Sequence, residues 1–141
     1  TYDHKNLKKL DDEQLFFEVN YTNEILSEIV GEDIRFIRPP YGAYNDDVLS
    51  KINMAFILWN VDTLDWKYHN SKKIADRVLK KASNGDIVLM HDIYRATANS
   101  LEIIIPKLLN QGYNLVTVSE LLYYNDINWS LYEDYLPNFI A

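Results

Sequence analysis

Asp86-Ile87-Val88-Leu89-Met90 is an apolar run of strand length, and His91-Asp92 follows it at once. A continuous apolar strand belongs in a sheet covered on both faces, because parallel strands linked by helices bury both of their surfaces. Before it, Ser71 with Ile74, Val78 and Leu79 reads as a helix capped at Ser71 and closed by the turn pair Asn84-Gly85. Ala55-Phe56-Ile57-Leu58-Trp59, continuing toward Val61, reads as another buried strand. Earlier still, Ile34-Arg35-Phe36-Ile37 is a short strand ended by Pro39-Pro40, and Asn45 or Asp46 starts a helix through Val48, Leu49 and Ile52. Asp11 or Asp12 can cap a first helix with Leu15, Phe16, Val19, Ile25, Leu26, Ile29 and Val30 on one broad face and Gly31 as its stop.

After His91 a helix is expected over residues 99–111. Pro106 should kink it unless its true start lies later. Gly112 ends it, Asn114–Val118 reads as the last strand, and Ser119 with Leu121 and Leu122 opens a final helix. Helices and strands thus alternate, which predicts an α/β fold with a parallel sheet. Residues 125–141, rich in Tyr, Trp and Asp, form a C-terminal tail that no pattern places.

Composition narrows the function. The chain has 141 residues, about one domain's worth. Hydrophobic residues make up 48% and charged residues 25%, with only 4 Gly and 4 Pro, so a packed core is expected rather than disorder. A net charge of −7 gives no electrostatic footprint for a nucleic-acid backbone or an anionic membrane. There is no cysteine, which excludes disulfides, thiolate zinc sites and cysteine nucleophiles. No apolar run approaches the 18 or so residues of a membrane span. Thr1-Tyr2-Asp3-His4-Lys5 is polar and does not read as a signal peptide.

In parallel β/α folds ligands sit at the carboxyl ends of the strands. Arg38, Pro39, Pro40, Tyr41 and Gly42 follow the first strand; Asp62, Asp65 and Trp66 the second; His91 and Asp92 the third; only Thr117 and Ser119 the last. A cation, a carboxylate pair and an imidazole on one rim have the composition of an acid/base site. Each also has a plain alternative. Arg38 could pair with Asp46 or Asp47 at the surface, the Pro-Pro-Tyr-Gly run could be a stiff turn, Asp62 could cap backbone N–H groups, and Trp66 could be rim packing. His91 is the least easily explained so, because an imidazole there needs a partner, and a nearby carboxylate would raise its pKa toward that of a working general acid. His69, in the polar run Lys67-Tyr68-His69-Asn70, reads as solvated.

Taken in order, Arg38-Pro39-Pro40-Tyr41-Gly42, Val61-Asp62-Thr63-Leu64-Asp65-Trp66 and Ile87-Val88-Leu89-Met90-His91-Asp92 resemble the polysaccharide deacetylases, the NodB-homology or carbohydrate esterase family 4 group. The closing run from Gly112 to Leu122 fits as well, so the resemblance covers roughly residues 1–122, and a deacetylase segment is expected over 1–124. It implies the C-terminal portion of a seven-fold irregular β/α barrel. It also implies a metal-dependent hydrolase of C–N bonds other than peptide bonds, one that removes acetyl groups from peptidoglycan or chitin-like polysaccharide. The divalent metal, often zinc, is held in the family by one Asp and two His. Thr1-Tyr2-Asp3-His4 resembles the family's His-Ser/Thr-x-x-His metal motif without its first histidine, which makes His4 a metal ligand. By the same match Arg38 orients the base, the Tyr41 N–H helps hold the oxyanion, Asp65 tunes the general acid His91, and Trp66 and Leu89 line the acetyl pocket.

The Thr-Phe-Asp-Asp-Gly-Pro-like motif that carries the Asp ligand and the base is not among the 141 residues. The resemblance therefore implies an N-terminally truncated deacetylase, inactive as an isolated chain. Such a truncation would leave a sheet edge that invites self-association. The family further implies an extracellular or cell-surface setting. The competing reading is a non-catalytic carbohydrate-binding remnant, with Trp59, Trp66 and the tyrosines stacking on sugars. A phospho-signalling or nucleotide-binding domain ranks last, because Pro39-Pro40-Tyr41-Gly42 supplies no phosphate loop.

Overall fold

The computed structural model describes residues 1–124, and these fall into two compact units, Thr1–Leu58 and the segment from Trp59 onward. The expected tail over 125–141 lies outside the described residues.

The first unit begins with a 3-10 turn, Leu7–Lys9. Helix α1 (Asp12–Phe16) starts where the sequence placed its cap: Asp11 accepts the Gln14 N–H at 2.9 Å and Gln14 accepts the Asp11 N–H at 3.2 Å, a capping box. A π turn, Phe17–Tyr21, then separates α1 from α2 (Thr22–Val30). Such a turn inserts an extra residue into the helical repeat, which rotates everything after it by about 100°. The broad apolar face expected from Leu15 to Val30 is therefore divided. Leu15 and Val19 are buried, whereas Phe16, Leu26, Ile29 and Val30 are exposed. Gly31 ends α2 in the left-handed region, at φ 77°. Strand β1 (Phe36–Ile37) pairs in parallel with β2 (Ala55–Phe56). Between them lies α3 (Asp46–Lys51), capped by Asn45, which accepts the Val48 N–H at 3.0 Å. Leu7, Leu15, Val19, Ile37, Val48, Ile52 and Phe56 form the core of this unit.

In the second unit β3 (Val61–Asp62) pairs in parallel with β4 (Val88–Leu89), Val61 beside Val88 and Asp62 beside Leu89. Helices α4 (Asp65–Tyr68), α5 (Ser71–Lys81), α6 (Arg95–Asn110) and α7 (Val118–Tyr124) complete it. Ile74, Ala75 and Val78 of α5 pack with Ile104 and Leu108 of α6.

Several sequence expectations are corrected in detail. The single strand from Ala55 toward Val61 is two strands, β2 and β3. At Asn60 a side chain enters the ladder: its Oδ1 accepts the Ile87 N–H at 3.0 Å, while the Asn60 and Val61 N–H groups both donate to the Ile87 carbonyl. Asn114–Val118 is not a strand among the described residues; Leu115 and Val116 are exposed there. Thr117 instead caps α7, accepting the Glu120 N–H at 3.2 Å while Glu120 accepts the Thr117 N–H at 2.7 Å. Helix α5 is capped by Asn70, not Ser71. Helix α6 begins earlier than residue 99 and continues past Pro106. The missing N–H removes the donor that the Glu102 carbonyl would meet four residues on. Both residues are exposed, so water can take that carbonyl.

Candidate active site

The in-register pairing of β3 with β4 brings the carboxyl ends of both strands together, so the residues immediately beyond β3 and β4 meet. Leu64 turns the chain sharply, at φ 55°, and Asp62 Oδ1 accepts its N–H at 2.8 Å. The plain alternative for Asp62, a turn residue capping a backbone N–H, is the bond observed. The turn delivers Asp65 into the interior, where it is fully buried.

Both oxygens of the Asp65 carboxylate are doubly engaged. Oδ1 accepts the Trp66 N–H at 2.8 Å and lies 2.8 Å from His91 Nδ1. Oδ2 accepts the His91 backbone N–H at 2.6 Å and the Thr97 hydroxyl at 2.8 Å. Burial by itself pushes this carboxyl up; the bonds from the His91 ring, the His91 N–H and the Thr97 hydroxyl outweigh it and hold the group below its ordinary value. An ionised carboxylate only accepts, so the proton between the two side chains sits on His91 Nδ1. That orientation leaves Nε2 for chemistry. The His91 side chain is 25% exposed, within reach of a substrate, while the Asp65 side chain is not exposed at all.

Two threonines that the sequence reading did not single out complete the arrangement. The Thr63 hydroxyl donates to the Leu89 carbonyl at 2.8 Å and accepts the Asp65 N–H at 3.3 Å, joining the two strand ends. Thr97, in the first turn of α6, reaches Asp65 directly. The available signal was a pair of hydroxyl residues one helical turn apart, Thr97 and Ser100, just after His91; hydroxyls buried there need acceptors. Trp66 is half-exposed beside Asp65, and Leu89 is buried on β4. His69 is exposed, as expected, and its ring meets Tyr94 edge-on at 4.4 Å.

Arg38, Tyr41 and His4 belong to the first unit. Arg38 follows β1 and is exposed. Of its two alternative partners, Asp46 and Asp47, the latter pairs with Lys51 at 2.8 Å. Tyr41 stands in a 3-10 turn, Pro40–Gly42, in the left-handed region at φ 62°. The turn uses the Gly42 and Ala43 N–H groups, and among the described residues the Tyr41 N–H has no acceptor. His4 is also left-handed, at φ 57°, and its ring meets the Tyr41 ring edge-on at 5.1 Å. The His4 segment is tied down by Glu18, which is fully buried. Its backbone carbonyl accepts the Tyr2 N–H, its Oε2 accepts the Asp3 N–H at 2.9 Å, and its Oε1 pairs with Lys5 at 3.1 Å. Burial pushes the Glu18 carboxyl up, but the Asp3 N–H and the Lys5 ammonium together bring it below its ordinary value.

A catalytic zinc takes three protein ligands. Among the described residues no three of His, Cys, Asp or Glu are grouped so as to hold a metal ion. His4 alone does not fit that requirement.

Comparison with known proteins gives these positions a context. The sequence pattern described as polysaccharide deacetylase matches residues 1–56. The chain is 43% identical over 121 residues to the peptidoglycan-N-acetylmuramic acid deacetylase PdaC of Bacillus subtilis, covering 86% of this chain and 26% of that protein. It thus spans about a quarter of the length of that protein and of the Listeria monocytogenes peptidoglycan-N-acetylglucosamine deacetylase PgdA, to which it is 40% identical. The solved structure of the Bacillus subtilis peptidoglycan deacetylase PdaC superposes with a TM-score of 0.83 at 39% identity, covering 94% of this chain and 67% of that one. A CE4 family pseudoenzyme from Bacillus anthracis superposes at 0.77 with 33% identity, covering 86% and 44%. With neighbours this similar, the fold is part of an α/β barrel of the CE4 type. No helix among the described residues is long and apolar enough to cross a membrane.

Proposed function

Because the chain belongs to the polysaccharide deacetylase family, we propose that it carries the proton-donating part of a carbohydrate N-deacetylase site. The observation that supports this most is the buried Asp65 carboxylate bonded to Nδ1 of a solvent-reachable His91. In amide hydrolysis water adds to the acyl carbon, the C–N bond of the tetrahedral adduct breaks, and acetate departs. The sugar nitrogen leaves readily only if it takes a proton. His91 supplies that proton from Nε2. Asp65 holds the ring with Nδ1 protonated and steadies the imidazolium before transfer. Trp66 and Leu89 line the pocket for the acetyl methyl group. Arg38 orients the base carboxylate, and the Tyr41 N–H donates to the developing oxyanion. The substrate class is an N-acetylated polysaccharide of the peptidoglycan or chitin type, in keeping with the names of the relatives. Metal dependence with His4 as a ligand belongs to the proposal, and among the described residues no group of three ligands stands with His4.

A chimera tests the proposal. The matched 121 residues of the Bacillus subtilis relative are replaced by those of this chain, and amine release from N-acetylated peptidoglycan and chitooligosaccharides is measured. Turnover by the chimera supports the proposal. A folded chimera that releases no amine overturns it.

A second reading, a non-catalytic carbohydrate-binding module, is favoured by the similarity to a CE4 pseudoenzyme. The same chimera discriminates: oligosaccharide binding without turnover is its signature.

A further inference from the structure

We propose that Thr97 is a positioning residue: its hydroxyl locks the Asp65 carboxylate in the plane that aims the His91 ring. The proposal deepens the reading of His91 as proton donor and takes its catalytic meaning from it. A carboxylate is free to turn about its Cβ–Cγ bond unless its oxygens are held. Here Oδ2 is gripped from two elements at once, by the His91 N–H just after β4 and by the Thr97 hydroxyl on α6. The second grip is itself anchored. The Thr97 N–H donates to the Tyr94 carbonyl at 3.0 Å, and the Ser100 hydroxyl donates to the Thr97 carbonyl at 2.6 Å. Thr97 is 3% exposed, so water has no room to replace a deleted hydroxyl. Without it, Oδ2 loses a donor that favours the charged carboxylate, and the plane of the carboxylate can rock. The ring moves with it, because Oδ1 holds Nδ1. A small misalignment of a proton donor is costly in rate.

The titratable side chain bonded to Asp65 is His91. Around it stand Tyr94, whose ring centroid is 6.3 Å from that of His91, Asp92 next in the chain, Asp62 on β3, Lys67 on α4, His69 after α4, Arg77 on α5, whose Nε donates to the Asp62 carbonyl, and Arg95 on α6. Thr97 is uncharged, so its substitution changes a hydrogen bond without altering that charge pattern.

The test uses the isotope-labelled 141-residue protein and two NMR readouts, the carboxyl carbon titration of Asp65 and the Nδ1–H signal of His91. Thr97→Val should raise the Asp65 midpoint and weaken the Nδ1–H signal through exchange. Thr97→Ser should restore both. A folded Thr97→Val protein with both readouts unchanged overturns the proposal, as does Thr97→Ser behaving like Thr97→Val. If Thr97→Val does not fold, Thr97→Ala against Thr97→Ser decides, since both lack the methyl and only the hydroxyl differs. Agreement between those two overturns the proposal, and a shift in Thr97→Ala alone supports it. The readouts need no turnover, so their failure removes Thr97 from its role while the chimera assay still judges His91.

Discussion

Asp65 binds His91 at two points, taking its backbone N–H on Oδ2 at 2.6 Å and facing its ring Nδ1 with Oδ1 at 2.8 Å. A single contact to the ring would leave the imidazole free to swing with its own side chain. The double contact references the ring to the backbone at the end of β4. The site's geometry is thereby inherited from the β3–β4 register rather than from a flexible loop.

Asp65→Asn should destabilise the protein by about 1–3 kcal/mol at neutral pH. An amide has one accepting oxygen, so its NH2 would be turned against a donor, either the His91 N–H or Nδ1–H. The sign with pH is set by the lowered carboxyl. The stability that Asp65 contributes is fully present above the unfolded value of about 3.9 and is lost as pH falls through the lower folded value. Urea unfolding of both proteins between pH 7 and pH 2 should therefore show the gap closing below about pH 4. A gap that stays constant down to pH 2 would contradict the ionised, hydrogen-bonded carboxylate.

In the chimera His91→Ala should lower kcat by about 10²–10⁴-fold, the usual worth of a positioned general acid, with KM little changed. Asp65→Asn should act in the same direction but less severely. Amine release under saturating substrate gives both values. Near-full turnover by His91→Ala would remove His91 from the proton-donor role.

Glu18→Gln should cost about 1–3 kcal/mol and loosen the segment that carries His4. The charge that holds Lys5 disappears, and the Asp3 N–H faces an amide that need not present its oxygen. Hydrogen exchange at the Asp3 amide should accelerate. Unchanged exchange would mean that Glu18 does not hold this segment.

How much of this was legible in the sequence depended on the range of the interaction. The strand before His91 and the turn residues after each strand announce themselves through apolar runs and punctuation, and so does a helix cap at Asp11 or Asp12, of which the structure uses Asp11. The π turn at Phe17–Tyr21 left no such mark, which is why a face that looked continuous from Leu15 to Val30 is divided. Asn60 interrupts a strand-like run by inserting its side chain into the ladder, a choice made by its neighbour Ile87 rather than by propensity. Asp65 and His91 could be paired by motif. Thr97 could not, because its partner is fixed only when α6 packs beside the strand ends.

Trp66→Ala should weaken oligosaccharide binding by about 0.5–1.5 kcal/mol while leaving stability nearly unchanged. Trp66 is 48% exposed, so its ring has open surface to offer a sugar, and truncating it empties no core. The backbone N–H that caps Asp65 Oδ1 survives the substitution, which keeps the Asp65–His91 pair intact. Leu89→Ala is the contrasting variant. Leu89 is 5% exposed, and its truncation should cost about 2–5 kcal/mol of stability whatever it does to binding. Calorimetric titration with N-acetylated chitooligosaccharides, paired with thermal unfolding, separates the two effects. Binding unchanged in Trp66→Ala would return Trp66 to ordinary rim packing and take it out of the substrate site.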